Sequence, residues 1–141
     1  MIKFIYVTDR YDIKREQVIN KVFDIVKQHI KLPEYIEIEF KDLNPNVYGE
    51  TLLDTRFKDR IRLNSMLSCK EVVIPFIHEL LHLNQIHIGL LSGRRDGSFI
   101  WNKKIYKTSK NPDVKEWANL PWEVDVAAKE KKLLEMVLKN V

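Results

Sequence analysis

Residues 72–88 read VVIPFIHELLHLNQIHI, and the pentapeptide His78-Glu79-Leu80-Leu81-His82 inside them governs how the rest of the chain is read. Val72, Val73, Phe76, Ile77, Leu80, Leu81, Ile86 and Ile88 surround it with core-type side chains, so the stretch reads as a buried helix. Two residues four apart on a helix share one face, one turn above the other. The spacing therefore predicts that both imidazoles reach a single Zn²⁺ at about 2.0–2.1 Å, with Glu79 beside the metal and acting on its water. The same three side chains buried without a metal would need three separate hydrogen-bonding partners.

Outward from this motif, Ser68-Cys69-Lys70-Glu71 has the form of a capping box, which places the helix start there. Pro75 either kinks the helix or marks its true first turn. The helix is expected to run to about Leu91 and stop at Ser92-Gly93. Upstream, Ile2–Val7 reads as a strand, Asp9 to Asp12 as a polar break, and Asp12 as the cap of a helix. That helix carries Val18, Ile19, Val22, Phe23, Ile25, Val26 and Ile30 at helical spacing and ends near Leu32-Pro33. Tyr35–Phe40 alternates as a half-buried strand, and Asn44-Pro45-Asn46 is a turn. Val47–Thr55 and Arg60–Leu63 read as two more strands, connected near Phe57-Lys58-Asp59.

Downstream, Ser98–Trp101 and Lys104–Thr108 form a hairpin around Asn102-Lys103, and residues 110–113 form a loop. Leu120-Pro121-Trp122-Glu123 opens a last helix, with Pro121 suited to its first turn. The order predicts one α+β domain over residues 1–141. Its small, mostly antiparallel sheet should pack on the N-terminal helix, the motif helix and the C-terminal helix.

The chain has 45% hydrophobic and 31% charged residues, ordinary values for a soluble globular domain, and 141 residues suffice for one core. The N-terminal segment lacks the apolar region of a signal peptide, and no apolar run approaches a membrane span. Cys69 is the single cysteine, so no intrachain disulfide forms, and cytoplasmic residence is expected. A net charge of +4 is only mildly basic. Arg94, Arg95, Lys103, Lys104, Lys107 and Lys110 do gather around Phe99, Trp101 and Tyr106. A solvated, lysine-rich hairpin and a patch for an acidic partner such as nucleic acid both fit that pattern.

A catalytic zinc takes three protein ligands and keeps one position open. His78 and His82 supply two. His29 reads as a surface residue, and His87, five residues from His82, points about 140° away around the helix. No histidine follows His87, so a downstream ligand must be a carboxylate or a less usual group. Glu123 is the first choice, since an acid in a first helical turn also suits the helix dipole. Asp125 is the runner-up on a different helix face, and Asp96 and Asp113 lie in loops.

Together, the motif with Gln85, the Gly93…Asp96-Gly97-x-Phe99-x-Trp101 hairpin and Leu120-Pro121-Trp122-Glu123 resemble the small single-domain zincin metallopeptidases of phages and prophages. These are similar to the SprT-like and ImmA/IrrE-like groups. The resemblance spans roughly residues 70–128 and implies a minimal zincin fold in which Glu123 matches the glutamate of the Glu-zincin pattern. SprT-like proteins use a third histidine, which this chain lacks, so their DNA-repair role does not carry over. ImmA/IrrE proteins cleave repressors, and no residue here carries that substrate over.

The expected function is zinc-dependent hydrolysis of peptide bonds in a protein or peptide substrate, with Glu79 as general base. Tyr106 and Tyr48 are candidates for a second oxyanion donor or for plain packing. The Arg60–Asn64 strand is a candidate to pair with an extended peptide. The alternatives are a non-catalytic, zinc-stabilised binding or phage-assembly module, and a nucleic-acid-associated protease that uses the basic hairpin.

Overall fold

The structure is a computed structural model that describes residues 1–7, 10–52 and 59–140. Its elements are β1 (Ile2–Tyr6), α1 (Ile13–Val26), β2 (Ile36–Lys41), β3 (Gly49–Thr51), β4 (Arg60–Asn64), α2 (Val73–His87), β5 (Leu91–Gly93), β6 (Phe99–Trp101), β7 (Lys104–Tyr106), α3 (Val114–Ala118) and α4 (Pro121–Lys139). The chain is α+β, as its sequence predicts. Parts of three sequence expectations lie outside the described residues: Asp9 in the polar break, positions 53–55 of the third strand, and Phe57-Lys58 in the connection.

The main sheet departs from the expected antiparallel pattern. Its order is β1-β2-β4-β3, with β1–β2 and β2–β4 parallel and only the edge strand β3 antiparallel to its neighbour β4. Two connections explain this. Helix α1 carries the chain back, so β2 starts at the same end as β1. After β2 the chain skips one position, runs back as β3, and returns as β4 in the gap.

The register puts Ile36, Ile38, Phe40, Ile61 and Leu63 on one face, each at most 2% exposed. Glu37, Glu39, Arg60 and Arg62 occupy the other face, where Arg60 reaches Glu39 at 2.9 Å and Glu37 at 3.0 Å. All three long helices lie on the apolar face. They contribute Ile19, Val22, Phe23 and Val26 from α1, Phe76, Ile77, Leu80, Leu81 and Leu83 from α2, and Val126, Leu133 and Val137 from α4.

Helix α1 starts where the Asp12 side chain accepts from the backbone N–H groups of Lys14 and Arg15, at 3.0 and 3.2 Å. Arg15 is buried and donates to the carbonyls of Ser65 and Leu67, at 2.9 and 2.8 Å. It thereby fixes the segment that feeds α2. The Ser68/Glu71 capping box forms, with both reciprocal bonds at 3.1 Å, but it closes a turn just ahead of the helix, which begins at Val73. Pro75 is the third residue of α2, where its missing N–H is one of the donors a helix start leaves unused anyway.

Helix α2 ends earlier than expected, at His87 rather than near Leu91. Gly89 takes φ +82°, Leu90 N–H donates to Gln85 O at 2.9 Å, and Gly89 N–H donates to Ile86 O at 3.1 Å. That is a Schellman motif, which needs the glycine two residues past the last helical one, so Gly89 and not Gly93 stops the helix. Residues released by this stop form β5, which extends the predicted β6–β7 hairpin into a three-stranded antiparallel sheet. The hairpin turn holds Asn102 at φ +48° and Lys103 at φ +69°, both left-handed as a tight two-residue loop requires. No described helix is long and apolar enough to cross a membrane.

Candidate metal centre

Helices α2 and α4 pack against each other, and their contact brings the two halves of the site together. A second, smaller core sets where α4 begins. Leu91, Leu120 and Trp122 are buried there, with Ile86, Phe99, Trp101 and Tyr106 packed around them. Trp122 is its centre, with the Phe99 ring 4.8 Å away and the Tyr106 ring edge-on at 6.1 Å. Pro121 opens the helix and Glu123 follows in the first turn, where a carboxylate suits the helix dipole.

One ligand atom each from His78, His82 and Glu123 lies within 4.8 Å of the others, the one such group among the described residues. His78 Nε2 is 3.2 Å from Glu123 Oε1, and His82 Nε2 is 2.7 Å from Glu123 Oε2. Two donors on one tetrahedral zinc at about 2.0–2.1 Å stand about 3.3 Å apart. Glu123 Oε1 stands 3.2 Å from both His78 Nε2 and His82 Nε2, so one carboxylate oxygen already has the spacing to each imidazole that a shared ion needs. Two imidazoles and a carboxylate are donors zinc accepts, and their three ligand atoms lie within 4.8 Å of one another.

The close approach of these atoms shifts how each group holds its proton. The hydrogen bond to Glu123 lifts the His78 imidazole to about 9, against the opposing effect of burial. For His82, burial pulls down but the hydrogen bond to Glu123 and the nearby carboxylates outweigh it, so the net shift is upward. Burial pushes the Glu123 carboxyl up, yet the bonds from both imidazoles outweigh it and hold the group at about 2. Glu79 is 6% exposed, and burial raises its carboxyl above the usual range.

Glu79 sits beside this cluster on α2, and Thr51 on β3 shares its hydroxyl between Glu79 Oε1, at 2.9 Å, and Glu79 O, at 3.1 Å. Gly49 on the same strand lies so close that an added Cβ would meet Glu79 Cγ at 3.1 Å. The cluster forms the floor of a cleft of about 650 Å³. Strand β3 lines one side, Ile74 and Pro75 another, and Trp117 of α3 the rim.

The remaining sequence candidates fall elsewhere. Asp125 accepts from Gln85 Nε2 at 2.9 Å and pairs with Lys129 at 3.1 Å, so its carboxylate is used outside the cluster. Asp96 accepts from Ser98 N–H at 2.9 Å within the β5–β6 turn, and Asp113 caps α3 by accepting from Glu116 N–H at 2.7 Å. His29 and His87 are exposed and line a different cleft. Tyr48 lines the cleft, whereas Tyr106 packs on Trp122. Strand β4, the candidate partner for a peptide, is interior to the sheet; the strand at the sheet's edge among the described residues is β3, which lines the cleft. The basic residues divide, with Arg94 and Arg95 at the β5–β6 turn and Lys103 and Lys104 at the β6–β7 turn, and the Phe99 and Tyr106 rings face the second core.

Three partners of the site carry no assigned role in the sequence, although Gln85 is part of the resemblance. Glu130 Oε1 is 3.5 Å from His78 Nδ1, and Gln85 Oε1 is 2.9 Å from His82 Nδ1. Both lie at helical spacings that were visible in the sequence: Glu130 seven after Glu123, and Gln85 three after His82. Thr51 had no such signal, because its link to Glu79 crosses 28 residues. Comparison with protein-family models, with curated proteins and with solved structures finds no match to this chain.

Proposed function

We propose that the protein is a zinc-dependent metallopeptidase of the small, single-domain zincin type. The observation that carries this reading is the convergence of His78, His82 and Glu123 at the floor of an open cleft, with Glu79 beside them. These three would hold the ion, and with no fourth ligand in the group among the described residues, one position stays open, as in catalytic zinc sites. When bound, zinc supplies a Lewis acid that polarises a carbonyl and brings the pKa of water to about 7.

The chain's own residues do the rest. Glu79 accepts the proton of the attacking water and passes it to the departing amine. Burial holds its carboxyl above the ordinary range, which brings it nearer to working at neutral pH. Thr51 keeps that carboxylate turned toward the cleft. Strand β3, at the sheet's edge among the described residues, would offer backbone groups to an extended peptide running along the cleft past Glu79. A module that bound zinc only for shape would have no use for a buried carboxylate in that place.

The test is metal content together with hydrolysis of an unfolded-protein or peptide pool. Glu79→Gln should keep its zinc and lose hydrolysis, and Glu123→Ala should lose zinc. Full activity in Glu79→Gln, or full zinc and activity in Glu123→Ala, would overturn the assignment.

A further inference from the structure

Gln85 is 1% exposed, and each end of its amide is committed. Its Nε2 donates to the Trp122 carbonyl at 2.9 Å and to Asp125 Oδ2 at 2.9 Å, while Oε1 faces His82 Nδ1 at 2.9 Å. A peptide carbonyl and a carboxylate only accept, so the NH₂ group must be the end turned toward α4. Lys129, 3.1 Å from Asp125 Oδ1, balances the charge of that carboxylate. The amide oxygen, itself only an acceptor, is left against the imidazole. The hydrogen of the neutral ring must therefore sit on Nδ1, and its lone pair on Nε2, the atom that faces Glu123.

We propose that Gln85 is the positioning residue of the centre: it fixes His82 as the Nδ1–H tautomer, aims Nε2 at the metal, and ties the first turn of α4 to α2 so that Glu123 arrives opposite. The proposal rests on the zinc reading for the identity of the ion and is independent of whether the protein hydrolyses anything. His78 is held in a looser way, its Nδ1 3.5 Å from Glu130, a side chain 26% exposed. Of the two imidazoles, His82 is thus the one whose orientation is fixed from inside the protein.

Two measurements on the full chain test this. Zinc affinity is read by competition with a chromophoric chelator for the wild type and Gln85→Leu, and ring-nitrogen protonation is read from long-range ¹H–¹⁵N spectra of the zinc-loaded wild type. The expected result is a His82 that binds through Nε2 with a protonated Nδ1, and zinc affinity weakened about 10–100-fold in Gln85→Leu. The spectrum needs no variant, so a His82 bound through Nδ1 sinks the proposal even if Gln85→Leu fails to fold. Binding of His82 through Nδ1, or wild-type affinity in a folded Gln85→Leu, overturns the role of Gln85 alone. A wild type that takes up no zinc overturns the metal reading as well.

Discussion

Thr51 and Glu79 are joined twice, through the carboxylate at 2.9 Å and through the main-chain carbonyl at 3.1 Å, so the edge strand and the motif helix meet at the candidate general base. The bond from Thr51 favours the ionised carboxylate and partly offsets the upward push of burial. Thr51→Val should therefore raise the Glu79 pKa further. The acid limb of the kcat/KM profile should move to higher pH, by up to about one unit for a bond worth about 0.5–1.5 kcal/mol. A pH–rate profile of the variant checks this, and an unmoved limb would count against Glu79 as the base.

Gly49 has little room for a side chain. A Cβ there would meet Glu79 Cγ and Leu63 Cδ2 at 3.1 Å and the Arg62 carbonyl at 3.2 Å. The carbonyl belongs to the β3–β4 ladder and cannot retreat without disturbing the pairing. Gly49→Ala should cost about 1–3 kcal/mol of stability and lower activity by more than that loss accounts for, because Glu79 is displaced. Denaturant unfolding and steady-state kinetics separate the two effects.

On the zinc reading, protons compete with the ion for the same atoms. In the metal-free protein His78 titrates at about 9, above its unfolded value of about 6.5. A raised imidazole stabilises the fold fully below about 6.5 and loses that contribution as pH rises through about 9. The metal-free melting temperature should therefore lose this contribution across that window, while the increment given by zinc grows. Glu123, held at about 2, contributes above its usual range and is lost only as pH falls toward 2. Calorimetric titration with zinc at pH 7 in buffers of different ionisation enthalpy should show proton release. An enthalpy that does not depend on the buffer would contradict this arrangement.

Trp122 is 3% exposed and supports Glu123 from the adjoining position. Trp122→Ala should destabilise the protein by about 3–5 kcal/mol and weaken zinc binding too. Val126→Ala, which empties space in the main core farther along α4, should cost stability with little change in zinc affinity. Chelator competition on the two variants distinguishes loss of support for the site from general loosening.

Legibility in the sequence followed the range of the interactions involved. His78, Glu79 and His82 share one helix face through local geometry, and Pro121 and Glu123 mark a helix start, so these were readable along the chain. The class of fold followed from hydrophobic periodicity. Strand direction did not, because it depends on whether the chain skips a position between β2 and β4, a choice made by packing across the whole sheet. Helix α2 ends before the expected Ser92-Gly93 because Gly89 takes the capping role, which only the hydrogen bonds from Leu90 and Gly89 reveal. Thr51 and Gly49 were invisible as site residues, since both act across an edge strand distant in sequence.

The distance along the chain between His82 and Glu123 has a bearing on how the molecule is made. As the polypeptide leaves the ribosome, both histidines emerge well before the last ligand, so the centre cannot be completed until α4 has docked. The same few polar contacts that assemble it, Glu123 on the two imidazoles and Gln85 on the Trp122 carbonyl and Asp125, are also the clasp on that helix. If the protein holds zinc as proposed, stripping it should then loosen the molecule unevenly, with faster amide hydrogen exchange in the first turns of α4 and little change in β1 and β2.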